Sequence, residues 1–544
     1  EIASCLVGSE MCIRDSHEVT GSCHFLQAAG LNILVDCGME QGNDVYENQE
    51  LPIAASDVDC ILLTHAHIDH SGLIPLMYVN GFRGQVYSTS ATAQLCEIML
   101  RDSAHIQMFE AEWRNRKAAR SGGKLKEFVP LYDMDAAVNV CKQFVGCEYD
   151  RVYDIAEGIK IRFTDVGHLL GSASIEVWAT EKTENGDVTE KIVFSGDIGN
   201  INKPIIKDPK HVRDADYIVM ESTYGNRSHG GTPNYVEDLT DIFKRTFERG
   251  GNVVIPSFAV GRTQELLYII RKIKEDNLVG RDFDVYMDSP LAIEATNIFI
   301  KNVESCFDDE AVELVRKGIN PLSFPGLKYA TTGDESKQIN FDPNPKVIIS
   351  SSGMCEAGRI RHHLKHNLWR PECTIVFVGY QAVGTTGRII VDGAEEIKLF
   401  GEPIQIKAEI VQLKGSSGHA DKDGLLCWIN AFDTKPKKVF VVHGEDSVCD
   451  EFTECLKEEY GYDAMAPYTG GSYDLIADRV ISEGVKERKT RRTTSTQRGK
   501  TVFDRLVAAG KRLMTVITHN EGGTNKDLAK FTDQINALCD KWDR

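Results

Sequence analysis

The sequence predicts a layered α/β protein of more than one unit, with a second α/β unit beginning after Glu221 and a helical extension at the C-terminus. Three observations predict it. Short β-branched or Leu-rich runs recur with helical segments between them, and several of these runs end in an ionisable residue. A chain of 544 residues also exceeds what one simple core organises.

The runs are LNILVDCG, DCILLTH, KIVFSGD, DYIVMEST, GNVVIPS, KVIISSSG, CTIVFVGY and KKVFVVHGE. Bounded by Gly, Asp or Pro, they read as strands buried on both faces, and their alternation with helical segments gives layered α/β architecture. Asp36, His65, Asp197, Glu221 and His443 close five of the runs. Ligands and catalytic groups gather at the C-terminal edge of such sheets, so these distant positions can converge. Residues 239–248 and 263–275 have the pattern of amphipathic helices flanking GNVVIPS, which starts a second α/β unit after Glu221. Residues 485–500 are basic and polar, as solvated linkers are, and a helical tail follows. At the other end, Ser4 to Ser16 (SCLVGSEMCIRDS) has no clear strand pattern and resembles translated sequencing-adapter sequence, so residues 1–16 are expected to be a non-native leader.

Composition narrows the function. With 42% hydrophobic and 26% charged residues the chain is of globular type. No apolar run approaches the roughly 20 residues that span a bilayer, and no secretory signal is evident, so a cytoplasmic protein without a membrane partner is expected. The 15 cysteines include no C-x-x-C pair and read as reduced thiols. A net charge of −19 argues against a sequence-blind nucleic-acid coat but not against a nuclease, whose basic groove can be local.

His65, His67, Asp69 and His70 put four ligand-type side chains into six residues after the run CILLT. On extended backbone alternate side chains share a face, so His65 and His67 can hold one metal while Asp69 and His70 hold a second. His168, Asp197 and His443 offer the remaining ligands, with Asp197, which has two oxygens, as the bridge.

In this order HAHIDH, His168 and Asp197, with the upstream Asp36, resemble the motif series of the metallo-β-lactamase fold. Glu221 in MESTYGNRSH, His419 in SSGHAD and His443 in VVHGE are similar to the three further motifs of its β-CASP branch. The resemblance covers about residues 17 to 475 and is nearest to prokaryotic relatives of the endonuclease subunit that cleaves messenger-RNA 3′ ends. It implies an αββα sandwich (17–222 and the return segment 395–480), an inserted β-CASP domain (223–394) and an extension (481–544). It implies two zinc ions, one on His65, His67, His168 and Asp197 and the other on Asp69, His70, Asp197 and His443, with Asp36 steadying the His loop.

A hydroxide bridging two cations roughly 3.5–4 Å apart would attack a phosphodiester. His419 is the implied general acid, oriented by Glu221, and Asp69 could orient the water. Arg262, Arg359 and Arg388, each beside a Gly-rich turn, are candidates for phosphate contact, and His363 either touches substrate or packs. Single-stranded RNA is the implied substrate, cut internally, and a homodimer the implied assembly. Two rivals stand beside this reading. A small-molecule hydrolase on the same fold explains the His loop but not the insertion or His419, and a non-catalytic scaffold has no need of a complete ligand set.

Overall fold

The structure, a computed structural model, describes residues 9–13, 17–40, 53–120, 128–230, 234–413, 417–486, 510, 513–514, 516–518 and 525–542. Most of the basic stretch 485–500 and of the tail over 503–517 lies outside the described residues, and Asn525–Trp542 is a helix.

Two sheets face one another. In the first, Arg479–Glu483, Gly471–Asp474, Glu10–Ile13, His24–Ala28 and Leu31–Val35 pair antiparallel in that order. Leu31–Val35 then pairs parallel with Cys60–Leu62, which is followed by Gln85–Thr89 and Phe144–Cys147. The second sheet runs Ala464–Met465, Lys438–Val442, Tyr217–Glu221, Gly186–Phe194, Ala173–Thr183, Ile159–Asp165 and Val152–Ala156.

The apolar runs are strands because both of their faces are covered. Phe440, Val442, Tyr217 and Val219 enter the layer between the sheets with Leu26, Val35, Leu62 and Phe163. Their neighbours Val439, Val441, Ile218 and Met220 face outward onto Trp428 and Phe452 of the helices Lys422–Ile429 and Asp446–Glu458. Ile74–Val79, Ser90–Arg120 and Met134–Val140 cover the outer face of the first sheet. Two sheets between two helical layers make the αββα sandwich that the resemblance implied. A strand covered on both sides has no polar period, which is why uninterrupted apolar runs mark these strands.

The start of the chain, which has no clear strand pattern in the sequence, contributes a strand to the first sheet. Glu10–Ile13 is a strand between His24–Ala28 and Gly471–Asp474, with Met11 and Ile13 buried. At four residues it is too short to show a period, and one of its two partners lies more than 450 residues away.

After Glu221 the chain builds a second α/β unit. Its six parallel strands lie in the order Leu327–Tyr329, Asp284–Asp288, Lys346–Ser350, Val253–Pro256, Thr374–Phe377 and Glu409–Gln412. The helices Tyr235–Glu248 and Arg262–Glu275 flank the strand Val253–Pro256, as expected. Lys438–Val442 then returns to pair parallel with Tyr217–Glu221, so both ends of the insertion rise from neighbouring strands of one sheet. Ile205, Ile206 and Phe307 share one apolar cluster, and an Ile206–Phe307 bridge joins the units.

Asp165, which ends the strand Ile159–Asp165, accepts Gly167 N–H at 3.0 Å and so shapes the turn before His168. Burial pushes its carboxyl up to about 7, against the opposing pull of the Gly167 N–H, Lys207 and Lys210. A raised carboxyl pKa costs stability once the unfolded chain ionises. The loss should therefore develop between about pH 4 and 7 and reach a few kcal/mol. Asp165→Asn keeps the acceptor and should melt higher than wild type by a margin that grows from pH 5 to pH 8. A constant margin would refute this.

Candidate metal centre

The site begins at the end of Leu31–Val35, where Asp36 takes φ = 61°. A non-glycine residue in that region is held there by its surroundings. Here its carboxylate accepts Thr64 N–H at 2.8 Å and Thr64 Oγ1–H at 2.8–3.0 Å, and meets His70 Nδ1 at 2.7 Å. The bond to His70 Nδ1 fixes the ring so that Nε2 faces the cluster. The strand Cys60–Leu62 stops before His65, so His65 and His67 do not share a face by strand alternation. They are set instead by the loop that opens the short helix Ile68–Ser71.

Around this loop the sandwich gathers the other strand ends. His65 Nε2 and His168 Nε2 lie 3.4 and 3.5 Å from Asp197 Oδ2, and both approach His67 Nδ1, at 3.0 and 3.2 Å. His70 Nε2 and His443 Nε2 lie 3.2 and 3.4 Å from Asp197 Oδ1. One carboxylate thus turns one oxygen to each of two histidine groups. The ligand atoms of His65, His67, His168 and Asp197 all lie within 4.8 Å of one another, as do those of Asp69, His70 and His443. His443 sits at φ = 51°, directly after the return strand.

Buried polar atoms are normally hydrogen-bonded. His70 Nε2 and Asp197 Oδ1, buried and 3.2 Å apart, pair with each other but make no well-formed hydrogen bond, so a cation could take the place of the proton between them. Mixed imidazole and carboxylate donors suit zinc. Burial drives His65 and His168 well below the ordinary histidine value, keeping them neutral as ligands must be. Burial works to raise Asp197, but His70, His443 and His65 outweigh it and hold the carboxylate ionised. The residues fit a pair of cations.

Beside the cluster, Glu221 accepts Ile198 N–H and meets His419 Nδ1 at 3.2 Å, while the same nitrogen stands 3.8 Å from Asp197 Oδ2. Backbone bonds from Asn200 N–H to the Gly418 carbonyl and from Ala420 N–H to the Ile198 carbonyl fasten the His419 segment to the Asp197 loop. Burial opposes a charge on His419, but Glu221 and Asp197 outweigh it and raise its pKa, so the ring is disposed to carry a donatable proton.

Of the residues expected to meet phosphate, two have other duties. His363 is fully buried between Asp288, at 2.6 Å from Nε2, and Asn340. Arg359 is bound to the same Asp288 at 2.7 Å and to the Ala330 and Thr331 carbonyls. Both side chains hold the inserted sheet's loops together: of the two readings of His363 the structure gives the packing one, and Arg359 is occupied by partners within the inserted unit. Arg388 pairs with Asp392 on the surface, and Arg262 meets Glu265 across one helical turn.

Three contributors were not singled out from the sequence. Thr64 anchors Asp36. His229 Nε2 meets the His419 carbonyl at 3.2 Å, and Lys203 Nζ donates to the His168 carbonyl at 2.9 Å. For Thr64 alone there was a signal, its place directly before His65.

Because Asp36 acts on the candidate ligand His70 and not on a metal, Asp36→Ala should lower zinc affinity by roughly 10- to 100-fold, the usual cost of losing such support. Competition with a zinc-binding dye reads this, and an unaltered affinity would refute it.

Fold and site together define a metal-dependent hydrolase whose centre is completed by a segment returning from an inserted domain. Residues 25–200 match the metallo-beta-lactamase superfamily domain, 263–390 the Beta-Casp domain and 403–467 the Zn-dependent metallo-hydrolase RNA specificity domain. Ribonuclease TTHA0252 of Thermus thermophilus is 34% identical over 432 residues, covering 79% of this chain and 92% of that protein. Transcription termination factor FttA of Methanosarcina mazei is 32% identical over 465 residues (82% and 69% of the two chains). Its namesake in Methanocaldococcus jannaschii is 29% identical over 466 (83% and 69%). The chain belongs to the β-CASP family of metallo-β-lactamase-fold ribonucleases. Among the described residues, no helix is long and apolar enough to cross a membrane.

Proposed function

We propose that the chain is a two-zinc ribonuclease that cuts single-stranded RNA internally, in RNA processing or decay in the cytoplasm. The observation that carries this reading is His419, supported by Glu221 at 3.2 Å and reaching the metal cluster from beyond the inserted domain. A small-molecule hydrolase needs neither that segment nor the domain before it.

His65, His67, His168 and Asp197 would hold one zinc, and Asp69, His70, Asp197 and His443 the other. Bound there, the pair supplies an activated water and a counter-charge for the phosphate. Asp36 keeps His70 in the correct tautomer, and Asp69 orients the attacking water. The bond from His419 Nδ1 to Glu221 leaves the Nε2 proton for the leaving oxygen, and Glu221 steadies the charged ring before transfer. Arg262 and Arg388 steer the RNA backbone. A homodimer is proposed with this on the family resemblance, and a monomeric sedimentation coefficient would remove it.

Zinc-loaded protein incubated with 5′-end-labelled single-stranded RNA should give a ladder of internal fragments that a His65→Ala variant does not give. Mononucleotides alone would replace internal cutting by exonuclease action. Thioester hydrolysis without RNA cleavage would overturn the reading.

A further inference from the structure

We propose that Phe258 is a stacking platform for a nucleobase of the substrate strand, a role that rests on the ribonuclease reading. The adjacent parallel strands Lys346–Ser350, Val253–Pro256 and Thr374–Phe377 open at their C-terminal ends into three neighbouring loops, the edge at which α/β sheets bind ligands. Phe258 stands in the middle loop with 46% of its surface exposed. A solitary exposed apolar side chain is ordinary, but the seating of this one is not.

A Cβ added to Gly353 would lie 3.1 Å from Phe258 Cδ2 and Cε2, and one added to Gly379 would lie 3.9 Å from Cε2. The ring therefore lies over Gly353 of one flanking loop and near Gly379 of the other, and any side chain at Gly353 would crowd it. Gln381 ties those glycines together by donating to the carbonyls of Gly353 at 3.1 Å and Gly379 at 3.3 Å. Thr263 Oγ1 donates to the Phe258 carbonyl at 2.6 Å. An apolar ring fixed from behind and open in front has already lost the freedom that stacking would cost it.

The loop also borders the turn that carries His168: at its far end a Cβ on Gly261 would lie 3.1 Å from Cδ1 of Leu169, the residue after His168. In the same quarter, Lys203 and Arg262 converge on Glu265, at 3.4 Å for Lys203. Cations that follow a backbone and aromatics that receive bases are the two components of single-strand binding, and stacking accepts any base because every base has a π face. Phenylalanine has no polar atom with which to read a base edge, so this subsite grips without selecting sequence.

The test uses full-length, zinc-loaded protein carrying His419→Ala to prevent turnover, with fluorescence anisotropy on a labelled single-stranded oligoadenylate. Phe258→Leu should weaken binding by about tenfold or more, whereas Phe258→Trp should restore it to within about threefold, which a packing role at Gly353 would not allow. A scan of single abasic positions adds the discriminating measurement. One position should cost the parent protein the same factor and cost Phe258→Leu nothing further. Equal affinity of Phe258→Leu and parent, or abasic losses that simply multiply with the substitution, would overturn the stacking role while leaving the ribonuclease reading intact. Failure of the parent itself to bind RNA would overturn both.

Discussion

Asp197→Ala is expected to reduce RNA cleavage by on the order of a thousandfold or more and to leave fewer than two zinc ions per chain. Each of its oxygens faces a different histidine group, His65 and His168 on one side and His70 and His443 on the other. Removing it therefore damages both positions at once, where loss of one histidine damages one. A metal pair lowers a phosphoryl-transfer barrier by several kcal/mol, and each 1.36 kcal/mol is a factor of ten in rate. The substitution should also separate metal binding from folding. Chelation should lower the melting temperature of wild type substantially and that of the variant little. A variant that retains two zinc ions by elemental analysis, or that cleaves within tenfold of wild type, would remove the bridging role.

The second large effect concerns His419→Ala, which should slow cleavage by roughly 10²–10⁴-fold, the span that one positioned acid supplies. Zinc content should not change, because His419 is bonded to Glu221 and is not needed to complete either ligand group. Glu221→Gln should fall between the two, keeping a partner for Nδ1 but losing the charge that favours the protonated ring. The loss should appear in kcat and not in KM. If His419→Ala raised KM alone, the residue would be a binding group, and the acid would have to be found elsewhere.

The sequence disclosed the parts of this site that are chemically local or physically obligatory. His65 to His70 are legible because four borderline-metal donors in six residues serve no ordinary loop. The strands before Asp36, Glu221 and His443 are legible because burial on both faces removes polar residues from them. Asp197 and His168 can be picked out only in the company of the others, since a single His or Asp beside Gly carries almost no information. Arg359 and His363 were ambiguous for a related reason. A glycine-rich turn before a basic helix has the same pattern whether its cations meet a phosphate or Asp288, and the deciding carboxylate lies 71 and 75 residues away. Lys203 could not have been found, because its partners are a backbone carbonyl, which has no signature in a sequence, and Glu265, 62 residues away. Glu10–Ile13 was hidden by its brevity and by a pairing with residues 471–474 at the opposite end of the described sandwich.

The parallel pairing of Lys438–Val442 with Tyr217–Glu221 has a consequence for the chain during its own synthesis. A polypeptide leaving the ribosome at about 5–20 residues per second presents His65 to His70 tens of seconds before His443 exists. During that interval the nascent sandwich has no return strand beside Glu221, no His419 and one wall of its metal cluster missing. A nuclease assembled in this order has an incomplete centre until its return segment has been made, and becomes competent only when that part of its catalytic core closes the sheet.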